Sequence, residues 1–507
     1  MPPNEMTLPL LLLISLDGFR HDYVDSVNTP NLYSIAQEGV HFTQGVQSQF
    51  PTVTMPNHVS ILTGLQPSSH GIVSNEFTDP ILDKAYDYWN FSGDSQRSKD
   101  SKLELWYSGE PIWLVNQRAG GERRSGSLKF PAADIRINGT SASRCISWRN
   151  FSDEEGWEAD VDELVGWFTD EESPINFGLW YMQQPDHLEH ESGAWSLPVL
   201  QLLQTIDRVI GHLREQLTKE GLWDQMNIII TGDHGHINAT YPDDIVPLGD
   251  YPYIHDKFTW SADTWIRPEK MSDNEEQEIY EKFVTDVRKD GRQDKILSFY
   301  KPDIQAEFSQ LQKTQHDYLR GFIENRRVGN IMIFPSCNET HCFVVWRGHN
   351  SSTLEDEEVS GVHGRHLADP QLSAMRALLL MHGPAFRAGY RSSSDTVQNI
   401  DLYPLMCRIL EIECAPSNAS FARIKLALRS EASMSAMLRS NRSLTLLALL
   451  PSITLLLFLI TLLIRRLRHG QVSSSAHRYR KLAQFRDSAE MDDLFEENVE
   501  DWDSDDN

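Results

Sequence analysis

Three short apolar segments, each running into an aspartate, constrain the fold of this chain more than any other feature. The segments are LLLLISLDGF, NFGLWYMQQPD and MNIIITGDHGH, and their aspartates are Asp17, Asp186 and Asp233. Uninterrupted apolar runs of this length are typical of parallel strands that are buried on both faces. Because ligands of open α/β sheets bind at the carboxyl ends of the strands, three aspartates at such ends indicate one shared site.

Helical patterns separate these strands. The run from Pro198 to Lys219 repeats apolar residues at intervals of three and four, as an amphipathic helix does. Residues 240–340 are more polar and less regular, and we expect them to form a cap or insertion inside the same catalytic unit. Strands that alternate with helices predict an α/β fold with a doubly wound, mostly parallel sheet flanked by helices.

One segment has the length and hydropathy expected of a membrane span. Leu444 to Ile464 is an uncharged apolar run, long enough to cross a hydrocarbon core of roughly 30 Å, and it predicts a single transmembrane helix. Arg465, Arg466 and Arg468 follow directly, which places that end in the cytosol. Glycosylation sequons all precede the run, as expected for an extracellular domain. They begin at Asn90, Asn138, Asn150, Asn238, Asn338, Asn350, Asn418 and Asn441.

These features predict four parts and a type I plasma-membrane topology. The parts are an extracellular catalytic domain (1–422), a stalk (423–443), the transmembrane helix (444–464) and a cytosolic tail (465–507). No signal peptide is evident, because the apolar run 8–16 has no basic region before it and no cleavage site after it. Either the N-terminus is incomplete, or the transmembrane helix also serves as the targeting signal.

Cysteine spacing and charge add two expectations. Cys337 and Cys342, and Cys407 and Cys414, are close enough to form short disulfide loops, which would leave Cys145 over, although other pairings are open. The formal net charge is −27, and 11 acidic residues lie within 487–507. A chain this acidic is not expected to bind duplex nucleic acid, which requires clustered Lys and Arg.

Side chains that suit zinc occur in four clusters along the chain. They are Asp17, then Asp186 and His190 in PDHLEHESG, then Asp233 and His234 in TGDHGH, and finally His363 in VHGRH. A strand-end aspartate and a histidine four residues later can face one ion if a helix begins there. Together the clusters predict a site for two metal ions.

Further motifs connect these clusters to a known family. The segment FPTVTMPNHVSILTGLQPSSHGIVSN contains T-x-P-N-H and TGL-x-P-x-SHGI-x-x-N, which occur in order with DGFR, GEPIW, PD-x-x-x-H, GDHG and HG-x-x-x. Over about residues 10 to 415 the chain resembles the ectonucleotide pyrophosphatase/phosphodiesterase family of the alkaline phosphatase superfamily. The carboxyl-terminal anchor resembles that of its single-pass branch, which lacks the extra nuclease-like domain.

The resemblance implies a two-zinc mechanism with Thr54 as nucleophile and Asn75 as the oxyanion-stabilising residue. It implies that one zinc is held by Asp17, Thr54, Asp233 and His234, and the other by Asp186, His190 and His363. A threonine hydroxyl is a poor nucleophile until a metal stabilises its alkoxide. We therefore expect hydrolysis in two steps, through a phosphothreonine ester.

The residues expected to determine substrate specificity differ in part from the pattern of the family. Many nucleotide-cleaving members carry an aromatic residue directly after the nucleophile, where this chain has Met55. Phe130, in LKFPAADI, resembles the aromatic wall of the family's pocket, and Trp148 lies near the spacing of a second stacking aromatic. An ordinary core position for Trp148 is equally open. His236, directly after GDHG, receives no role.

Three functions follow, and nucleotide hydrolysis is favoured among them. The second is a phospholipid or choline-headgroup phosphodiesterase on the same metal site. The third is a non-catalytic adhesion or receptor domain, which would have no reason to keep six metal-site residues beside Thr54. Sulfatase chemistry requires a modifiable Cys or Ser in C/S-x-P-x-R, which the TMPN segment is not.

Overall fold

The computed structural model describes residues 8–88, 104–148, 154–261, 264–266, 271–304, 317–346, 358–364 and 371–430. The strands in these residues are β1 (Leu10–Leu16), β2 (Val40–Phe42), β3 (Glu76–Asp79), β4 (Lys84–Asp87), β5 (Ser125–Leu128), β6 (Arg144–Ile146), β7 (Phe177–Met182), β8 (Met226–Thr231), β9 (Ile237–Tyr241), β10 (Ile245–Pro247), β11 (Thr259–Ser261), β12 (Thr264–Ile266), β13 (Ile296–Tyr300), β14 (Ile331–Pro335), β15 (Val344–Trp346), β16 (Glu358–Val362), β17 (Leu379–His382) and β18 (Tyr390–Ser392). The α-helices are α1 (Pro30–Glu38), α2 (Thr54–Thr63), α3 (Pro67–His70), α4 (Ile112–Arg118), α5 (Trp157–Thr169), α6 (Asp186–Ser192), α7 (Leu197–Lys219), α8 (Pro252–His255), α9 (Asp273–Lys289), α10 (Asp317–Glu324), α11 (Leu402–Leu410) and α12 (Phe421–Ile424).

An eight-stranded sheet forms the centre of the fold, in the order β18-β2-β17-β8-β1-β7-β5-β6. Strand β1 lies between β7 and β8 and pairs in parallel with both, so that Leu12 is opposite Gly178 on one side and Ile228 on the other. Within this sheet β17 is antiparallel to both of its neighbours. The prediction of a mostly parallel α/β sheet is confirmed, and its three apolar runs are adjacent central strands.

Helices cover both faces of this sheet. Leu11 and Leu13 of β1 pack into an apolar cluster with α2 and α11, whereas Leu12 and Ile14 pack into a second cluster with α1, α5 and α7. Successive residues of a strand point to opposite faces, so both faces of β1 are buried. Helix α7 begins where the Ser196 hydroxyl accepts a hydrogen bond from the Val199 amide.

A smaller antiparallel sheet, β11-β12-β14-β13, forms within the segment in which we expected an insertion, residues 240–340. It packs with α9 around its own apolar cluster. Arg326 and Arg327 each donate hydrogen bonds to the carboxylate of Asp79 in β3. These ion pairs tie the segment to the β3–β4 hairpin, which directly follows Asn75.

The chain beyond the last long helix stays packed on the catalytic domain further than we expected. The sequence predicts residues 423–429 to belong to the stalk, and in the structure Arg423 donates two charge-assisted hydrogen bonds to the buried Asp401. Arg429 Nε donates to the Phe386 carbonyl at 2.6 Å. Within the described residues no helix is long and apolar enough to span a membrane. The predicted helix 444–464 and tail 465–507 lie outside these residues.

Both expected disulfides form, Cys337–Cys342 and Cys407–Cys414, and Cys145 belongs to neither. Three of the sequon asparagines are exposed, namely Asn138, Asn338 and Asn418. Asn238 differs, because its side-chain amide exchanges two hydrogen bonds with the backbone of Ala194. A glycan on Asn238 would replace one of the two hydrogens on the Nδ2 atom that donates to Ala194. The other sequons lie outside the described residues.

Candidate active site

The three strand-end aspartates converge at one edge of the sheet. Asp17 follows β1, Asp233 follows β8, and Asp186 is the first residue of α6. All three are buried. The Asp186 amide donates to the Asp17 carbonyl at 3.1 Å, and the Gly18 amide donates to Asp233 Oδ1 at 3.1 Å. Gly18 has a φ of +69°, and a Cβ there would lie 3.0 Å from Asp186 Cα, so this close approach requires glycine.

The first group of possible metal ligands consists of Asp17 Oδ1, Asp233 Oδ2 and His234 Nε2. These buried atoms have no hydrogen-bond partner among the described residues. His234 Nε2 lies 3.5 Å from Asp17 Oδ1 and 3.1 Å from Asp233 Oδ2, while its Nδ1 donates to the Gly235 carbonyl at 3.3 Å. Unpaired polar atoms are costly to bury, and two carboxylate oxygens with one imidazole nitrogen fit a cation such as zinc.

The second group consists of Asp186 Oδ1, His190 Nε2 and His363 Nε2. The three atoms are 3.5, 3.3 and 3.1 Å apart. Ligands at ordinary zinc distances around a tetrahedral ion are about 3.3 Å from one another. The other ring nitrogen of each histidine donates to a backbone carbonyl, His190 to Gly361 at 2.9 Å and His363 to Thr52 at 2.7 Å. Such bonds orient metal-binding histidines.

His58 lies beside the first group and was not expected in the site. Its Nδ1 is 3.6 Å from Asp233 Oδ2 but donates to the Thr54 carbonyl at 2.9 Å, and Ser15 Oγ donates to its Nε2 at 2.9 Å. Burial lowers the pKa of His58. Because both ring nitrogens are used, we assign His58 to holding the peptide of Thr54 and not to a metal.

Thr54 is the first residue of α2 and is buried. The loop before it is held by the Asn57 side chain, which accepts from the Gln49 amide at 2.7 Å and donates to the Val53 carbonyl at 3.0 Å. The Thr54 carbonyl accepts a hydrogen bond from His58, which lies beside the first ligand group. The Thr52 carbonyl accepts one from His363, which belongs to the second group. Thr54 therefore begins its helix next to both groups.

The two groups are also neighbours of each other. The rings of His234 and His363 stack with their centroids 3.6 Å apart. Asn75 is close to the nucleophile position, because its Oδ1 accepts a hydrogen bond from the Met55 amide at 2.8 Å. The structure thus brings together the predicted catalytic pair and the predicted metal-ligating clusters.

The buried carboxylates at this edge of the sheet favour the binding of a cation. Burial and the carboxylates of Asp233 and Asp186 raise the pKa of Asp17 well above its usual range. Burial also acts to raise the pKa of Asp186, but the neighbouring His190 and His236 hold it well below its usual value. A divalent ion would offset the mutual repulsion of these carboxylates.

The three residues expected to contact substrate are buried. Met55 and Phe130 belong to the larger apolar cluster, and the Phe130 ring meets His58 edge to face with centroids 5.2 Å apart. Trp148 is 4% exposed and stacks on Tyr88 at a centroid distance of 4.3 Å. A role for these residues in binding substrate stays a prediction.

Tyr88 links Trp148 to the first ligand group. Burial, with the charges of Asp17 and Asp233, raises the pKa of Tyr88, and its hydroxyl shares a hydrogen bond with Tyr181. The Tyr181 hydroxyl in turn donates to Asp17 Oδ2 at 2.5 Å. Because Oδ2 is occupied by tyrosine, Oδ1 of Asp17 is the oxygen left to face a metal.

Comparison with known proteins agrees with this geometry. The family model for type I phosphodiesterase/nucleotide pyrophosphatase matches residues 11–364. The chain belongs to the ectonucleotide pyrophosphatase/phosphodiesterase family, within the alkaline phosphatase superfamily. Human family member 5 is 32% identical over 420 residues, which cover 83% of this chain and 78% of the relative. Human bis(5'-adenosyl)-triphosphatase ENPP4 is 31% identical over 424 residues, covering 83% of this chain and 82% of the relative.

A solved structure of the family is also similar. It is an inactive variant of murine family member 5, in which a threonine is replaced by alanine, in complex with AMP. It has a TM-score of 0.67 and 27% sequence identity, and it covers 83% of this chain and 100% of its own. The family thus consists of nucleotide pyrophosphatases/phosphodiesterases, and this chain has their fold.

Proposed function

We propose that this chain is a zinc-dependent ectoenzyme that hydrolyses the phosphodiester or pyrophosphate bonds of extracellular nucleotides, dinucleoside polyphosphates foremost. The observation that carries the proposal is the closeness of two groups of possible zinc ligands, one around Asp17 and Asp233 and one around Asp186, to the start of α2, where Thr54 lies. A relative named for the hydrolysis of bis(5'-adenosyl) triphosphate supports this substrate class, as does the AMP bound to murine family member 5. In this proposal the segment 444–464 anchors the enzyme in the plasma membrane.

Zinc is the metal that the donor set favours. Imidazole nitrogens mixed with carboxylate oxygens, spaced as on a tetrahedron, suit zinc better than the all-oxygen octahedral sites of magnesium or calcium. We assign one ion to Asp17, Thr54, Asp233 and His234, and the other to Asp186, His190 and His363. When bound, the ions lower the pKa of the threonine hydroxyl and offset negative charge on the phosphate oxygens.

The residues of the chain then divide the reaction into two steps. Thr54 Oγ1 attacks the phosphorus, the bond from phosphorus to the leaving phosphate oxygen breaks, the hydroxyl proton of Thr54 leaves with the departing phosphate, and the nucleotide remains as an ester of Thr54. Asn75, held by the Met55 amide through its Oδ1, presents its Nδ2 donor for a non-bridging phosphate oxygen. Water then attacks the phosphorus, releasing the mononucleotide and returning the proton to Thr54. The inactive threonine variant of the murine relative supports a threonine nucleophile.

Substrate choice can be measured on the full chain expressed at the surface of intact cells. We expect diadenosine triphosphate and NAD added outside the cells to be hydrolysed, and lysophosphatidylcholine to be hydrolysed poorly, because the family is one of nucleotide phosphodiesterases. The measurement is product formation in the medium, compared with cells that express Thr54→Ala.

Each alternative predicts a different result, either in this assay or with purified protein or broken cells. Faster turnover of lysophosphatidylcholine than of either nucleotide would favour the choline-headgroup phosphodiesterase. No turnover of any substrate by purified, zinc-loaded protein would favour a non-catalytic domain. Hydrolysis by broken cells alone would contradict the extracellular topology.

A further inference from the structure

His236 is fully buried beside the second ligand group, and neither the sequence nor the mechanism above gives it a role. It lies just before β9, and its Nε2 is 2.8 Å from Asp186 Oδ1 and 3.3 Å from Glu189 Oε2. Its backbone carbonyl accepts a hydrogen bond from Arg20 Nη1 at 2.6 Å. Both the ring and the backbone of His236 are therefore held at the metal-binding edge of the sheet.

The ring of His236 is oriented differently from those of the assigned metal ligands. His190, His234 and His363 each direct Nδ1 at a backbone carbonyl and leave Nε2 for the ligand group. His236 directs Nε2 at carboxylates, and its Nδ1 has no hydrogen-bond partner among the described residues. Its 2.8 Å distance to Asp186 is that of a hydrogen bond and is shorter than the spacing of about 3.3 Å between ligands of one zinc.

Two glycines make room for the His236 ring. A Cβ on Gly18 would lie 2.9 Å from His236 Nε2, and a Cβ on Gly361 would lie 2.9 Å from His236 Nδ1. Contacts that close do not occur between real side chains, so the imidazole fits at this position only because both residues are glycine. The ring thus packs against two backbone segments, one near each nitrogen.

A second carboxylate, that of Glu189, lies near the same Nε2 atom of His236. Glu189 is fully buried, and its Oε1 accepts a hydrogen bond from the Tyr23 hydroxyl. Tyr23 packs edge to face on Phe19, with centroids 5.6 Å apart. The contacts therefore run from Tyr23 to Glu189, to His236 and to Asp186.

We propose that His236 is a positioning residue for the second metal, donating from Nε2 to Asp186 so that Oδ1 faces His190 and His363. Glu189, which accepts a hydrogen bond from Tyr23, lies 3.3 Å from the same nitrogen and favours this orientation of the imidazole. The inference rests on the two-metal site of the proposed function. Groups that orient the ligands of a metal commonly contribute ten- to a hundredfold to its affinity.

The experiment compares zinc binding by His236→Leu and His236→Gln in the full chain. Leucine removes the N–H donor, whereas glutamine places an N–H near the position of imidazole Nε2. Zinc stoichiometry would be measured by elemental analysis, and the affinity of each site by competition with a chromophoric chelator. In His236→Leu we expect the zinc at Asp186, His190 and His363 to bind about ten- to a hundredfold less tightly than in the wild type, and the other zinc to bind with unchanged affinity. His236→Gln should bind both ions like the wild type.

Tyr23→Phe is a milder variant that deletes one hydroxyl group and keeps the ring. We expect it to weaken only the second zinc, and by less than His236→Leu does. Circular dichroism of the metal-free proteins checks that the variants are folded. If His236→Leu does not fold, zinc binding by Tyr23→Phe tests the proposal.

Zinc binding by His236→Leu equal to that of the wild type would overturn the proposal. So would a loss in His236→Gln as large as in His236→Leu, because packing and not the donor would then matter. A wild-type chain that binds fewer than two zinc ions would overturn this inference together with the two-metal site. Two tightly bound zincs without nucleotide hydrolysis would overturn the proposed function and leave the role of His236 standing.

Discussion

Thr54→Ala is expected to lower kcat by about a thousandfold or more on every phosphodiester substrate, which corresponds to roughly 4 kcal/mol of barrier. Without the hydroxyl no ester can form, and water would have to attack the phosphorus directly. The substitution removes one ligand atom among those assigned to the first metal, while Asp17, Asp233 and His234 remain. We therefore expect folding to be nearly intact and both zinc ions to stay bound. The measurement is steady-state turnover on purified protein with its zinc content determined.

Thr63→Ala is the matched control. Thr63 is the last residue of the same helix, and its hydroxyl donates to the Val59 carbonyl at 2.7 Å, away from both ligand groups. The same chemical change there should leave turnover near that of the wild type. Activity of Thr54→Ala above a few per cent of wild type would contradict the threonine nucleophile.

Removal of zinc is expected to abolish activity, and its return is expected to restore it. The chelated protein should also unfold at a lower temperature, because Asp17, Asp186 and Asp233 would face one another in a buried site without a cation. Activity and melting temperature would be followed while zinc is removed and added back. Calcium or magnesium added instead serves as the control and should restore neither to the same extent.

Two results would count against the metal assignment. Full activity after elemental analysis has verified the absence of metal would contradict metal-dependent catalysis. An unchanged melting temperature in the metal-free protein would contradict the placement of the ions among these buried carboxylates.

The position of the ligand groups could be predicted from the sequence because it follows from strand direction. Asp17, Asp186 and Asp233 each follow an apolar run, and the carboxyl ends of adjacent parallel strands meet at one edge. The antiparallel direction of β17 could not be predicted in this way, since its short apolar run carries no signal of orientation.

The residues that support the ligands could not be predicted, because their roles depend on contacts between distant parts of the chain. Tyr181 donates to Asp17 across 164 residues, and Tyr23 donates to Glu189 across 166 residues. No local pattern distinguishes such tyrosines from core residues. His58 is different, since it is part of the T-x-P-N-H motif and could have been singled out.

The roles of the residues expected to contact substrate were harder to predict, because they depend on how each side chain is buried. Whether an aromatic ring such as Trp148 faces a pocket or packs in the core depends on what covers it, and in the structure Tyr88 stacks against it. The boundary between the domain and the stalk was also hard to predict. Arg423 and Arg429 look like stalk residues in the sequence, but each one bonds back to the domain.

The stereochemistry of hydrolysis at phosphorus distinguishes attack by Thr54 from direct attack by water. A nucleotide phosphorothioate ester of known configuration would be hydrolysed in isotopically labelled water, and the configuration of the product would be determined. Attack by Thr54 followed by attack by water inverts the configuration at phosphorus twice, so we expect overall retention of configuration. Overall inversion would show a single direct attack by water and would contradict a covalent intermediate on Thr54.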